Sequence, residues 1–177
     1  LKEKEVIAVK MPMSRDAALL EESHRKAADL IEDHLNAGRN VAYLTLGDPA
    51  VYSSFTYIQR ILEKDGYSTE MVSGVPSFCA AAARLGISLA EKDEPIHIIP
   101  AAVCLNCVDE MSGSVVLMKA GGRLSHIRES FRLGGKEVVA VENCGMEGEK
   151  VYKSLEDISD ETGYFTLMIA RDIRETE

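Results

Sequence analysis

The chain has 177 residues, of which 46% are hydrophobic and 28% charged, and its formal net charge is −9 at pH 7. This composition is typical of a chain that forms a hydrophobic core, and the length allows one full domain or two small ones. An acidic chain without tryptophan lacks the basic face of a nucleic-acid binder, and no apolar run reaches the roughly 20 residues that span a bilayer. We therefore expect neither nucleic-acid nor membrane binding, and a cytoplasmic location because no leader pattern opens the sequence.

Helical and extended patterns alternate in the first half of the chain. The long first helix carries apolar residues at three- and four-residue spacing, and Gly38 is placed to end it in a left-handed conformation. Alternating strands and helices at short spacing are typical of a parallel sheet flanked by helices. The predicted elements are a helix over 14–37, a buried strand at 41–46, a helix over 55–65, a short strand at 69–73 and a helix over 78–85.

The second half is richer in strands and has fewer helices. We place a boundary near Glu94–Ile96, which divides the chain into a partial N-terminal α/β domain at 1–95 and a C-terminal α/β domain at 96–177. The predicted elements are strands at 96–100, within 113–122, at 136–145 and at 164–172, a short helix at 104–111, a helix over 123–135, and a segment at 149–158 that turns from extended to helical.

The four cysteines favour reduced thiols over a disulfide framework, since no secretory signal is evident. Cys104 and Cys107 form the only CxxC pair, and a zinc site would have to add Cys144 and a histidine to complete four ligands. The interpretation that we favour is ordinary thiols and no metal site. A metal pair and a redox pair remain the alternatives.

Four turns containing glycine or small residues directly follow predicted strands, two in each half. They are Leu46–Tyr52, Ser73–Phe78, Met118–Gly122 and Glu142–Met146. In open α/β sheets, ligands bind beyond the carboxyl ends of the strands, where glycine permits close approach of the backbone. The turns match no dinucleotide-binding, P-loop or nucleophile-elbow pattern. Asp48 alone would more often be a turn former, but the set of turns favours a ligand cleft between the halves.

Five segments in fixed order resemble the tetrapyrrole methylase family. They are "VAYLTLGDPAVYSSF", "GVPSFCAAAARLGISLA", "VVLMKAG", "VVAVENCGMEGEKVYKSLEDI" and "YFTLMIARD". Within the family, the resemblance is strongest to the precorrin-2 / cobalt-factor II C20-methyltransferases of corrin synthesis. It implies two α/β domains with S-adenosylmethionine between them, a tetrapyrrole substrate and a homodimer.

Carried over by position, the resemblance implies a set of binding residues. The cofactor would be contacted by Asp48, Val51, Ser77, Phe78, Met118, Ala140 and Thr166, and the substrate by Tyr52, Arg84 and Lys119. The cations are expected to act locally, because a chain of net charge −9 repels a polycarboxylate at long range. Solvated surface cations remain the alternative for each of them.

The sequence departs from the family pattern at two points. Members begin with a strand, a glycine-rich "GPGDP…LT" loop, a helix and a further strand, so the resemblance implies that the N-terminal domain of this chain is truncated. Pro76 stands where relatives usually carry serine or threonine, and it leaves the Ser77 N–H available.

Methyl transfer from a sulfonium is an in-line displacement by a nucleophilic ring carbon, so we predict no catalytic side chain. Positioning can supply on the order of 7–11 kcal/mol of the barrier reduction. Two alternatives remain open. One is a family member that acts on another ring position or on a diphthamide precursor, and the other is a non-catalytic α/β module.

Overall fold

The computed structural model describes residues 4–14, 16–102, 108, 110–132 and 135–173. The chain divides into two compact units, Leu1–Gly74 and Val75–Glu177. Helix Ser77–Leu85 therefore belongs to the second unit, although the sequence places it before the predicted boundary at 95. The division of the protein into domains 1–95 and 96–177 stays a prediction.

The first unit is built on two helices, α1 (Ala17–Asn36) and α2 (Phe55–Lys64), which confirms both predicted helices. The Asp16 carboxylate caps α1 by accepting the N–H groups of Ala18 and Leu19 at 3.0 and 3.2 Å. Gly38 follows the helix in the predicted left-handed conformation. The helices pack through an apolar cluster made of Ala27, Ala28, Ile31, Ile58 and Leu62.

The predicted strands at 41–46 and 69–73 are wrong, because neither segment forms a strand ladder. Leu44, Leu46 and Val72 are 71–79% exposed. An apolar run predicts extended backbone, but a strand also needs a neighbour to pair with, and the described residues supply none for these two segments.

Within its described residues, the second unit holds a five-stranded mixed sheet and two helices. The strands lie in the order β1-β2-β5-β3-β4; β1 is parallel to β2, and β5 is antiparallel to both β2 and β3. The α/β class is thereby confirmed. The elements are α3 (Ser77–Leu85), β1 (Ile96–Pro100), β2 (Ser114–Met118), α4 (Leu124–Arg132), β3 (Lys136–Glu142), β4 (Lys150–Tyr152) and β5 (Thr166–Asp172).

Both faces of this sheet are buried, and alternate residues of each strand face opposite sides. Along β2, Val115 and Leu117 join a cluster with Leu124 and Ile127 of α4. Val116 lies between them on β2 and belongs to a second cluster, which contains Ala81 and Ala82 of α3. The central strands are therefore covered on both sides, which explains their nearly continuous apolar sequences.

The predicted helical part of 149–158 is wrong, since only β4 is regular there and 153–158 forms turns and bends. The Ser154 hydroxyl accepts the Asp157 N–H at 3.3 Å, a local bond that competes with helical pairing. The predicted helix at 104–111 and the Cys104/Cys107 pair lie outside the described residues, apart from residues 108, 110 and 111. Within the described ranges, no helix combines the length and apolarity needed to cross a bilayer.

Candidate functional site

The ends of the three central strands, β2, β3 and β5, lie together at one end of the sheet in the second unit. Because β2 and β3 both run antiparallel to β5, their carboxyl ends lie where β5 begins. This arrangement brings together Met118, Glu142 and Thr166, and the turns that follow the first two are the ones that the sequence predicts as ligand-binding. We call this end of the sheet, where β2 and β3 finish, the carboxyl edge.

Two of the loops at the carboxyl edge are in close backbone contact. The Ala120 N–H donates to the Thr166 carbonyl oxygen at 3.0 Å. A Cβ atom built on Gly121 would lie 1.9 Å from the carbonyl oxygen of Gly163, which leaves no room for a side chain. Gly121 is therefore required by packing against the turn that precedes β5.

Glu142, the last residue of β3, binds that same turn from the other side. Its Oε1 accepts the Gly163 N–H at 2.7 Å, and its Oε2 accepts the Tyr152 hydroxyl at 3.1 Å. Lys150 Nζ lies 3.7 Å from Oε2. The Gly163 N–H, helped by Tyr152 and Lys150, holds the pKa of Glu142 below its usual value despite burial, so this carboxylate is charged.

In the first unit, Asp48 joins two of the predicted turns. Its Oδ1 accepts the Ala50 N–H at 2.8 Å, and its Oδ2 accepts the Gly74 N–H at 2.9 Å. A Cβ atom on Gly74 would lie 2.2 Å from the Gly47 carbonyl oxygen, so these two backbones touch. Asp48 is thus a turn former and also a link between Leu46–Tyr52 and the start of the Ser73–Phe78 turn.

Unusual backbone conformations concentrate in the predicted turns. Among the described residues that are not glycine, four have positive φ, and three of these are Tyr52 (51°), Lys119 (58°) and Asn143 (52°). A left-handed conformation is uncommon for tyrosine and lysine, and such strain clusters at functional sites. Tyr52 and Lys119, both predicted to contact substrate, are exposed.

The predicted residues on α3 lie against the other face of the same sheet. Phe78 and Met118 are both partly buried and pack against one apolar cluster, so the structure brings these two predicted cofactor residues together. Ser77 is exposed at the start of α3, which has no side-chain cap. At the end of that helix, Arg84 forms an ion pair with Glu149, which raises the pKa of Arg84. The pKa of Glu149 is lowered by the Gly145 N–H and by Arg84.

Two predicted cofactor residues are buried within the second unit. Ala140 is 0% exposed, and it pairs with Met168 on one side and Tyr152 on the other. Thr166 is 1% exposed, and its hydroxyl donates to the Gly163 carbonyl oxygen at 2.7 Å. Their assignments to cofactor binding stay predictions, as does that of the half-buried Val51.

Sequence reasoning missed the residues that hold the carboxyl edge together, namely Glu142, Tyr152 and Gly163. A glutamate that ends a strongly apolar strand was the available signal, because a buried carboxylate needs donors close by. The Gly163 N–H comes from a turn 21 residues further along the chain and the Tyr152 hydroxyl comes from β4, and no local pattern reveals the pairing of Glu142 with Gly163.

Elsewhere in the second unit, a groove of about 790 Å³ lies at the opposite end of β3. It is lined by residues that include Lys136, Glu137, Lys153 and Arg171, and by none of the predicted site residues. In the part of the chain that the structure describes, no group of three histidine, cysteine, aspartate or glutamate residues is arranged to hold a metal ion.

The sequence matches known proteins along most of its length. The family model described as Tetrapyrrole (Corrin/Porphyrin) Methylases matches residues 1–159. A probable cobalt-precorrin-2 C(20)-methyltransferase of Methanocaldococcus jannaschii is 32% identical over 145 residues, which are 79% of this chain and 60% of that protein. A precorrin-4 C(11)-methyltransferase of Mycobacterium tuberculosis is 47% identical over 66 residues, or 37% of this chain and 25% of that protein.

Solved structures show the same fold. A cobalt precorrin-4 methyltransferase has a TM-score of 0.72 at 20% identity, and the match covers 83% of this chain and 70% of that one. A uroporphyrin-III C-methyltransferase from Thermus thermophilus, complexed with S-adenosyl homocysteine, has a TM-score of 0.64 at 22% identity over 85% of this chain and 72% of that one. The predicted family resemblance and fold are therefore confirmed.

Proposed function

We propose, from the premise that this chain belongs to the tetrapyrrole methylase family, that it transfers a methyl group from S-adenosylmethionine to a carbon of a tetrapyrrole in cobalamin biosynthesis. The observation that carries the proposal is the family match over residues 1–159, which includes all four of the predicted ligand-binding turns. The chain spans 60% of the length of the Methanocaldococcus jannaschii relative, so the activity of a complete methyltransferase is for this chain a proposal.

The site chemistry suits a displacement that needs positioning rather than a protein nucleophile. Lys119 and Asn143 hold left-handed conformations at the carboxyl edge, and Asp48 holds two turns together in the first unit. Fixed backbone of this kind can orient a sulfonium and a ring carbon for in-line attack, and orientation alone contributes on the order of 7–11 kcal/mol.

The residues present fit S-adenosylmethionine, which would supply the electrophilic methyl group when bound. Phe78 and Met118 offer partly exposed apolar surface to a flat base, and the uncapped start of α3 at Ser77 has N–H groups that can donate to a carboxylate. Each Asp48 oxygen accepts a single hydrogen bond among those described and retains a lone pair for a ligand donor.

For the ring position, we propose C20 of precorrin-2 or cobalt-precorrin-2. The support is the 32% identity to a probable cobalt-precorrin-2 C(20)-methyltransferase over most of this chain. The short match to a precorrin-4 C(11)-methyltransferase keeps a different ring carbon as the second candidate. A homodimer and a cytoplasmic location belong to the same proposal.

Mass spectrometry of the full-length protein incubated with precorrin-2 and S-adenosylmethionine tests this function. We expect the product to gain one methyl group, and NMR of the product should place it at C20. A methyl group at C11 or another carbon would favour the second candidate. A protein that binds neither compound and transfers no methyl group would favour the non-catalytic module.

Replacing Asp48 by alanine tests the predicted cofactor site. The change removes the acceptor for two N–H groups, so we expect S-adenosylhomocysteine to bind about tenfold or more weakly in calorimetry, since hydrogen bonds to charged groups contribute roughly 1.5–3 kcal/mol. Asp33→Ala is the matched control, because this carboxylate is exposed on α1. Equal affinity in the two variants would remove Asp48 from the site.

A further inference from the structure

The turn that precedes β5 presents two aromatic side chains to solvent. Tyr164 is 43% exposed and Phe165 is 52% exposed. Their rings meet edge to face, with centroids 5.3 Å apart and an interplanar angle of 85°. The ammonium of Lys119 lies 5.6 Å from the centroid of the Tyr164 ring, within the range of a cation–π contact. A cation and two aromatic rings therefore share one exposed patch of the carboxyl edge.

This exposure occurs on a turn that is firmly held. Glu142 accepts the Gly163 N–H at 2.7 Å, and the Asn143 N–H donates to the Phe165 carbonyl oxygen at 3.1 Å. The Gly163 carbonyl oxygen accepts both the N–H and the hydroxyl of Thr166. A turn with this many fixed backbone groups presents its side chains in a defined place, at the cost of leaving apolar surface in water.

We propose that Tyr164, Phe165 and Lys119 form a recognition surface for a carboxylate-bearing tetrapyrrole ring, and that Glu142 is a positioning residue that holds this surface in place. The identity of the ring rests on the proposed function. The aromatic side chains contact the conjugated ring, and the Lys119 ammonium pairs with one of its peripheral carboxylates. Glu142 touches no ligand and acts through the Gly163 N–H.

Charge decides between the two ligands of the proposed reaction. S-adenosylmethionine carries a sulfonium and an ammonium against one carboxylate, so the cation of Lys119 repels it. A tetrapyrrole with several carboxylates is attracted instead, and a protein of net charge −9 needs such a local cation to bind it. Among the described residues, the carboxylate bonded to this turn is that of Glu142, which is 7% exposed and already paired, so it offers little repulsion.

Binding of uroporphyrin, a stable polycarboxylate macrocycle, to the full-length protein tests the surface. We expect Tyr164→Ala and Lys119→Gln each to raise its Kd at least about fivefold, because each removes one ring or ion contact. Lys153→Gln, an exposed lysine outside the carboxyl edge, should stay within twofold of wild type. The Kd of S-adenosylhomocysteine should stay within twofold in all three variants.

Any of three results would contradict the proposed recognition surface. They are an unchanged uroporphyrin Kd in Tyr164→Ala, an equal loss of S-adenosylhomocysteine binding, and a wild-type protein that does not bind uroporphyrin. Methyl transfer by the wild-type protein is read separately, so failure of the proposed function and failure of this surface are distinguishable. We expect the Tyr164→Ala variant to fold normally, because truncating a side chain that is 43% exposed leaves the core intact.

The positioning role has its own readout in steady-state kinetics. We expect Glu142→Gln to raise the KM for the tetrapyrrole at least about threefold, with little change in the KM for S-adenosylmethionine, because the Gly163 N–H that holds the turn 163–165 exchanges a charged acceptor for a weaker neutral one. Glu137→Gln is the control on the same strand, where the carboxylate is exposed and pairs with Arg171. An equal rise in both KM values, or none, would remove Glu142 from this role.

Discussion

Extended apolar segments behave differently in the two units. In the second unit, β2 and β3 each pair with β5, and side chains such as Leu117 and Ile169 are fully buried. In the first unit, segment 41–46 is just as apolar, but neither it nor segment 69–73 forms a ladder among the described residues, and Leu46 is 79% exposed. Segments predicted as strands thus form paired strands in the second unit, whereas in the described residues of the first unit they stay unpaired.

The two units hold their predicted site turns in place through different interactions. The second unit holds its carboxyl edge on a sheet that is covered on both faces. The first unit holds its turns through local bonds, above all the two that Asp48 accepts from Ala50 and Gly74. We therefore expect substitutions at matched positions to cost more in the second unit than in the first.

A matched pair of leucine truncations tests this expectation most strongly. Leu117→Ala opens a cavity between β2 and α4, and it should lower the free energy of unfolding by about 2–5 kcal/mol. Leu46→Ala removes a side chain that is already solvated, so its effect should stay within about 0.5 kcal/mol. Urea unfolding followed by circular dichroism measures both. A comparable loss for Leu46→Ala would mean that segment 41–46 buries its side chains in solution.

A pair of glycine substitutions compares the close backbone contacts of the two units. Gly121→Ala would place its Cβ 1.9 Å from the Gly163 carbonyl oxygen, and Gly74→Ala would place it 2.2 Å from that of Gly47. Overpacking lowers the free energy of unfolding by about 1–3 kcal/mol. We expect the loss for Gly121→Ala near the upper end, because the adjoining strands β2 and β5 are paired in the sheet and cannot shift freely.

Urea midpoints give the order of the two glycine variants. Hydrogen exchange should show the loss of protection in Gly121→Ala confined to the turns around 120 and 163. A larger effect for Gly74→Ala would contradict the comparison, because it would show that the turns of the first unit are the more constrained.

Much of the second unit is predictable from sequence, for a physical reason. β2 and β3 contain short apolar runs, each strand directly follows a glycine, and α4 shows clear helical periodicity. The predictions fail where a neighbour decides the outcome. Segments 41–46 and 69–73 lack a pairing partner among the described residues, and at 153–158 a serine side chain bonds to the backbone.

The candidate site divides in the same way. Sequence reasoning located the turns after β2 and β3, because glycine after an apolar run is a local signal. Tyr52 and Lys119 have left-handed backbone conformations, and their binding roles stay predictions. Sequence reasoning did not locate the Glu142–Gly163 bond or the Tyr164–Lys119 contact. Both join segments far apart in sequence, and only the antiparallel placement of β5 brings them together.

The pH dependence of stability sharpens the comparison further. The pKa of Glu142 is lowered mainly by the Gly163 N–H, so the charged form stabilises the fold above the ordinary glutamate pKa of about 4.3. That contribution is lost as the pH falls through the lower pKa of the folded state. We expect Glu142→Gln to flatten the acid limb of the stability curve by at most about 1.4 kcal/mol per pH unit, the slope for one proton.

The acid limb is measured by urea unfolding at pH values from neutral downward. Asp65→Asn in the first unit is the comparison: the pKa of Asp65 is also lowered, by Arg25, but this carboxyl is exposed and screened by solvent. Its curve should therefore stay close to that of the wild-type protein. Parallel acid limbs in wild type and Glu142→Gln would show that the ionisation of Glu142 contributes nothing to folding.

The smallest expected effect concerns two threonine hydroxyls beside the carboxyl edge. The Thr166 hydroxyl donates to the Gly163 carbonyl oxygen at 2.7 Å, whereas the Thr162 hydroxyl is buried without a hydrogen-bond partner among the described residues. Thr166→Val should therefore cost about 1 kcal/mol, and Thr162→Val, which has the same shape, should be neutral or stabilise by a few tenths. Urea unfolding of both variants gives the difference. A destabilised Thr162→Val would show that this hydroxyl has a partner in solution, such as a buried water, and that burial in the second unit is completed there as well.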